Sequence, residues 1–166
     1  MTFTENDFKQ TSEMANLLLK IDQMDAAYVD KVSDQIYEKQ PFFLSVLLGY
    51  SKDISMVEVE EIMKVYFLIW EYFKLNQNLP KKKITQTMFE KAQRKIMQML
   101  HYSEGEPESL RDQIYEVELQ NLKSKSLWAA VLLRFHNRPA LMNLNSENKG
   151  IILVGILSFI QCFEAQ

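Results

Sequence analysis

The residues in this chain best suited to binding chemistry are cations. Lys81, Lys82 and Lys83 are followed by Lys91, Arg94 and Lys95, so residues 80 to 102 carry a net +5 against Glu90 alone. Lys91 and Lys95 are one helical turn apart with Arg94 beside them, a spacing that puts all three on one helix face near the lysine triplet. Such a face can hold an anion or an acidic partner. No aromatic stands among Lys91, Arg94 and Lys95 to give the stacking platform that single-stranded nucleic acid requires. A second candidate is the segment Arg134-Phe135-His136-Asn137-Arg138, where Arg134, His136 and Arg138 supply hydrogen-bond donors at an expected helix end. Loops at such places carry function, and cations also suit a helix C-terminus for dipole reasons alone.

Acid–base chemistry has two candidate pairs, Glu58 with Glu61 and Glu116 with Glu118. Such a pair works only in a cleft that perturbs its protonation. Metal chemistry is poorly supplied, since the chain has two histidines and one cysteine. Gln98 precedes His101 and Leu133 precedes His136 where a Glu-x-x-His spacing would need glutamate, and there is no Cys-x-x-Cys. Gly105 and Gly155 belong to no phosphate-cradling pattern. Cys162 lies in the most apolar stretch and reads as a small buried hydrophobe. No catalytic, metal or cofactor-binding residue is therefore assigned.

The elements that must position these residues are helices. Four glycines and four prolines in 166 residues leave long uninterrupted segments, and no useful alternating period-two stretch occurs. Phe8, Thr11, Ala15, Leu18 and Leu19 fall at helical spacing. Asp25 is an expected N-cap for a helix whose apolar stripe is Val29, Val32 and Ile36. Pro41 opens a short apolar helix to Leu48, which Gly49 is expected to close in the left-handed conformation. Ser55 and Glu58 form a capping box, so a long helix starts at Met56 and buries Ile62, Val65, Phe67, Ile69, Trp70 and Phe73, with Glu60, Lys64 and Glu71 on the solvent side.

Asn76 to Pro80 reads as a linker. Thr85 or Thr87 caps the next helix, whose inner face carries Met88, Phe89, Ala92, Ile96, Met99 and Leu100. A loop at 103 to 108 precedes a helical pattern running from Leu110 with little interruption to Phe135. Asn137-Arg138-Pro139 ends it, and Asn145 or Ser146 caps a last helix over Gly150 to Phe163. That last run has fourteen uncharged residues, whereas a bilayer span needs roughly 20, so no membrane span is expected.

The five residues Asp34 to Glu38 recur letter for letter as Asp112 to Glu116. The flanks match in order. Phe8, Leu18 and Leu19 correspond to Phe89, Met99 and Leu100; Val46-Leu47-Leu48 to Val131-Leu132-Leu133; Ile62, Val65 and Leu68 to Ile151, Val154 and Leu157. Seven extra residues in the second stretch, nearly two helical turns, keep the buried face in phase. The expectation is an all-α fold, one compact helical domain over 1–166 with about seven or eight helices, built as two degenerate copies of a four-helix unit at about 5–76 and 85–164.

The net charge of −3 and sequence pI near 5.5 argue against nucleic acid as a general partner. A single cysteine, and a start lacking a secretory pattern, lead us to expect a reducing, cytoplasmic setting. The function expected is a non-catalytic protein–protein interaction or scaffold module, binding itself or another protein and needing no cofactor. The alternative is a regulator that binds an anionic ligand or nucleic acid through the 81–95 face. A third reading is a small enzyme with a carboxylate site between the two halves.

Overall fold

The computed structural model describes residues 5–103 and 122–165. Among them the chain forms eight α-helices and no strand: α1 Glu5–Asp22, α2 Ala26–Lys39, α3 Pro41–Gly49, α4 Met56–Leu75, α5 Gln86–Ser103, α6 Lys125–Asn137, α7 Pro139–Met142 and α8 Ser146–Glu164. A 3-10 turn, Tyr50–Lys52, follows α3.

Two helices make the centre. In α4 every residue from Val65 to Glu71 is buried, and in α8 every residue from Val154 to Ile160. A helix apolar all round must be enclosed on all sides, and the remaining helices enclose these two. α1, α3, α6 and α7 pack on α4, and α5 packs along α8. Aromatic side chains join the two centres. Phe43 of α3 stacks on Tyr66 with centroids 4.6 Å apart and meets Phe159 edge-on at 4.8 Å, while Phe73 and Phe89 approach Phe163 and Phe159 at 5.0 and 4.4 Å. The result is one contiguous core, with Trp70 and Phe159 buried in it as expected from the sequence.

The caps follow the sequence closely. The Asp25 carboxylate accepts from the Tyr28 amide at 2.8 Å, Ser55 and Glu58 make the reciprocal capping box, Thr85 accepts from the Met88 amide at 3.2 Å, and Asn145 from the Asn148 amide at 2.8 Å. Each satisfies a backbone donor that the first helical turn leaves free.

Four expectations are corrected. Gly49 is right-handed, at φ −62°, and α3 tightens into the 3-10 turn, which carries Tyr50 inward to Tyr66. A reversal there would have turned Tyr50 away. The left-handed helix end falls instead at Gln77, φ 54°, where the Asn78 and Gln77 amides donate back to Phe73 and Lys74 carbonyls at 2.7 and 3.1 Å, the six-to-one and five-to-two bonds of a Schellman end. On α1 the buried face is Met14, Leu17 and Ile21, with Phe8 and Leu19 exposed, because Leu17-Leu18-Leu19 offers an apolar residue to three adjacent faces and the contact with α4 selects one. Glu71 is buried rather than solvated. The pattern expected to run on to Phe135 is broken at 122–124, where Leu122 and Ser124 are buried and the Glu164 carboxylate accepts from the Ser124 amide at 2.6 Å.

Asp112 to Glu116, the second copy of the five-residue repeat, lies outside the described residues, as do Glu116 and Glu118. Matched positions elsewhere agree in part. Leu48 and Leu133 are both exposed, whereas Phe8 is exposed and Phe89 buried, and Ile62 is buried and Ile151 exposed.

Candidate functional site

The structure divides the basic run. Lys81, Lys82 and Lys83 are exposed on the connection between α4 and α5, whose backbone is held from beneath by Gln40. That glutamine is 1% exposed; its Nε2 donates to the Lys82 carbonyl at 2.9 Å and its Oε1 accepts from the Ile84 amide at 2.8 Å. One side chain thus satisfies a donor and an acceptor of a segment with no ladder of its own.

Lys91, Arg94 and Lys95 do share a face, and it borders a groove between α5 and the C-terminal end of α8. Its volume is about 820 Å³, and Met88, Ala92, Cys162 and Ala165 supply its apolar lining, with Gln98 and Gln161 at its edge. Packing brings the two walls together. Phe89 and Ile96 are buried, and Phe89 meets Phe159 at 4.4 Å, so the next residues round α5 stand opposite the last turn of α8. Burial pushes the Cys162 thiol up to about 11. The groove therefore holds a neutral thiol at neutral pH, not a thiolate nucleophile.

The second sequence candidate turns inward. Arg134 is buried; its Nη1 donates to the Asp22 carboxylate at 2.7 Å and its Nη2 to the Leu18 carbonyl at 3.3 Å. Arg138 reaches the same Asp22 oxygen at 2.6 Å and stands 4.0 Å from Glu61, which also pairs with Lys64 at 3.1 Å. Three cations and two carboxylates thereby clasp the end of α6 to α1 and α4. His136 faces solvent. A recess of about 300 Å³ beside Arg134 is lined by Leu18, Leu133, Asn137 and Pro139 among others.

A third polar cluster was not foreseen. Glu71 accepts from the Lys20 ammonium at 3.1 Å and the Tyr28 hydroxyl at 3.0 Å, joining α1 and α2 to α4. Burial, the Glu71 charge and that hydrogen bond all hold the Tyr28 hydroxyl protonated well beyond the usual tyrosine range. Tyr66, wholly buried, is raised by desolvation and then by its neighbour Tyr50, 3.1 Å away.

Of the carboxylates in the candidate acid–base pairs, Glu58 is committed to the capping box and Glu61 to the clasp. No group of three or more His, Cys, Asp and Glu side chains that could hold a metal ion occurs among the described residues. No described helix is long and apolar enough to cross a membrane. Sequence reasoning missed the groove's second wall, Gln161, Cys162 and Ala165, because nothing local to α8 marks it as facing α5. Comparison of the chain with protein-family models, with curated proteins and with solved structures found no match.

Proposed function

We propose that the protein is a non-catalytic helical interaction module whose contact surface is the groove between α5 and α8. The observation that carries this reading is the groove's make-up: an apolar lining with three cations and two amides at its edge, the mixture that fixes and orients a bound segment. Its volume is twice the 410 Å³ of the recess lined by Asn16, Lys20 and Tyr28 on the opposite helices. The polar clusters elsewhere pair cations with carboxylates between helices, which favours structural roles for them, although the buried Glu61 Oε2 has no hydrogen-bond partner.

We read the chain further as one domain of two degenerate halves in a reducing, cytoplasmic setting. In support, the first helix of each half packs on its last, α1 on α4 and α5 on α8, and Cys162 is a free, buried thiol.

A photo-crosslinking amino acid placed at Gln98, at the groove edge, tests the interaction reading against the same probe at Lys31 on α2. The expected result is a discrete protein adduct from position 98, competed away by excess unlabelled chain and missing from position 31. No competed adduct from any position would refute the module. An adduct from position 31 alone would keep the module and move its surface.

A further inference from the structure

We infer that the groove receives an acidic amphipathic helix of a partner protein; this rests on the interaction-module reading and names the chemistry of its partner. The charge along the groove is unbalanced among the described residues. Among the described residues Lys91 and Lys95 make no ion pair, and Arg94 makes a single bond, from Nε to the Glu90 backbone carbonyl at 3.4 Å. The two acids nearest in sequence to the groove walls are engaged elsewhere. Glu90 accepts from Gln86 Nε2 at 2.9 Å, and Glu164 is turned to the Ser124 amide at 2.6 Å. Among the described residues, three exposed cations therefore border an apolar trough with no carboxylate paired to them, the condition under which an acidic partner gains most from complementarity.

The spacing selects a helix. Lys91 and Lys95 are at i,i+4, about 5–6 Å apart between Cβ atoms, which matches carboxylates at i,i+4 on a second helix lying alongside. Beneath them Ala92 and Ala165 are small enough to let a helix backbone come close, and Met88 is the adaptable residue that fits varied apolar side chains. That is the helix-in-groove mode, in which apolar anchors at i, i+3, i+4 and i+7 enter the trough and the flanking charges set orientation. Nucleic acid fits less well. Phe89, on the same helix as these cations, is buried against Phe159 and offers no stacking face.

The test uses four helical peptides and the full chain, read by fluorescence anisotropy. The first carries leucines on one face and two i,i+4 glutamate pairs beside it. The second scrambles that sequence, the third replaces each glutamate by glutamine, and the fourth by lysine. The first is expected to bind with a salt-dependent affinity, the scramble not at all, and the glutamine peptide about tenfold more weakly and with little response to salt. The Lys91→Glu, Lys95→Glu double variant should lose at least tenfold for the acidic peptide and regain affinity for the lysine peptide. Its melting temperature should stay unchanged, because both positions are exposed. Equal binding of the acidic and glutamine peptides, or an acidic-peptide affinity untouched by the charge reversal, overturns the inference. So does sedimentation showing that the chain alone self-associates through Lys91 and Lys95, which would give the groove to a second copy. If all four peptides fail while the Gln98 adduct persists, the acidic-helix inference falls and the module stands; if the adduct fails too, both fall.

Discussion

The clasp at Asp22 makes an asymmetric test of what holds the helices together. Arg134 is 6% exposed and Asp22 33%, and Asp22 also bonds Arg138 at 2.6 Å. Changing Asp22 to alanine strands a buried guanidinium, with the Leu18 carbonyl as its remaining partner. Breaking a buried pair from that side costs about 3 kcal/mol, toward the low end for such pairs because the carboxylate is partly wet. Changing Arg134 to methionine leaves Asp22 paired with Arg138 and keeps apolar volume at the site, so the loss is about 1 kcal/mol. The double variant should lose about 1–2 kcal/mol, since no buried guanidinium is stranded and Arg138, partly exposed, keeps only Glu61, which gives a coupling of about 2–3 kcal/mol. Urea unfolding followed by circular dichroism measures all three. In heat the Asp22 variant should melt about 6–12 °C lower, at roughly 2–4 °C per kcal/mol for a chain of this size. If Arg134→Met is the more damaging, or the two losses simply add, the burial asymmetry does not govern this site.

Further outcomes follow from the other clusters. Gln40→Ala should cost about 2 kcal/mol, because it removes the partner of the buried Ile84 amide and a bond to the Lys82 carbonyl, and should speed tryptic cutting at Lys81 to Lys83. Gln77→Gly should stabilise by about 0.5–1 kcal/mol in urea unfolding, relieving the left-handed strain at φ 54°. Alkylation of Cys162 by iodoacetamide should be slow at pH 8 and rise with a midpoint near 11, against the ordinary value near 9 for the urea-unfolded chain. The sign for stability is the same for this thiol and for Tyr28 and Tyr66: the fold keeps the neutral form, so stability is full below the unfolded pKa and declines as pH climbs past about 9 for the thiol and 10 for the tyrosines. Tyr28→Phe should flatten that alkaline loss in a pH series of unfolding curves. Oligonucleotide binding is expected to be absent at low salt; if it occurs, its salt slope should be near −0.7 per contact for single strands and should flatten when Lys82, Arg94 and Lys95 become glutamine.

What was legible in the sequence was local. Caps depend on three or four consecutive residues, so Asp25 and Ser55 with Glu58 could be read directly, Thr85 and Asn145 each as one of two neighbouring choices, and the last helix as a core helix from its uncharged run. What was not legible depended on contacts distant in the chain. Glu71 sits at a position that helical spacing assigns to solvent, and it is buried because Lys20 and Tyr28, 51 and 43 residues away, reach it. Gln40 carries no local mark of its role, and its partners at 82 and 84 lie beyond α3 and α4.

The same distinction explains the two candidate sites. Arg134 and Arg138 read as a donor-rich loop, and a carboxylate 112 residues from Arg134 makes them a structural clasp. Lys91, Arg94 and Lys95 read as one cationic helix face suited to an anion or an acidic partner, and the fold adds an apolar wall from α8 while Glu90 and Glu164 bond elsewhere. Charge alone separates the cases poorly, since both are clusters of cations at helix surfaces. The separation comes from whether the fold supplies the counter-charge. Where it does, the arginines hold helices to one another; where the described residues supply none, Lys91 and Lys95 are the contacts we propose for an acidic partner.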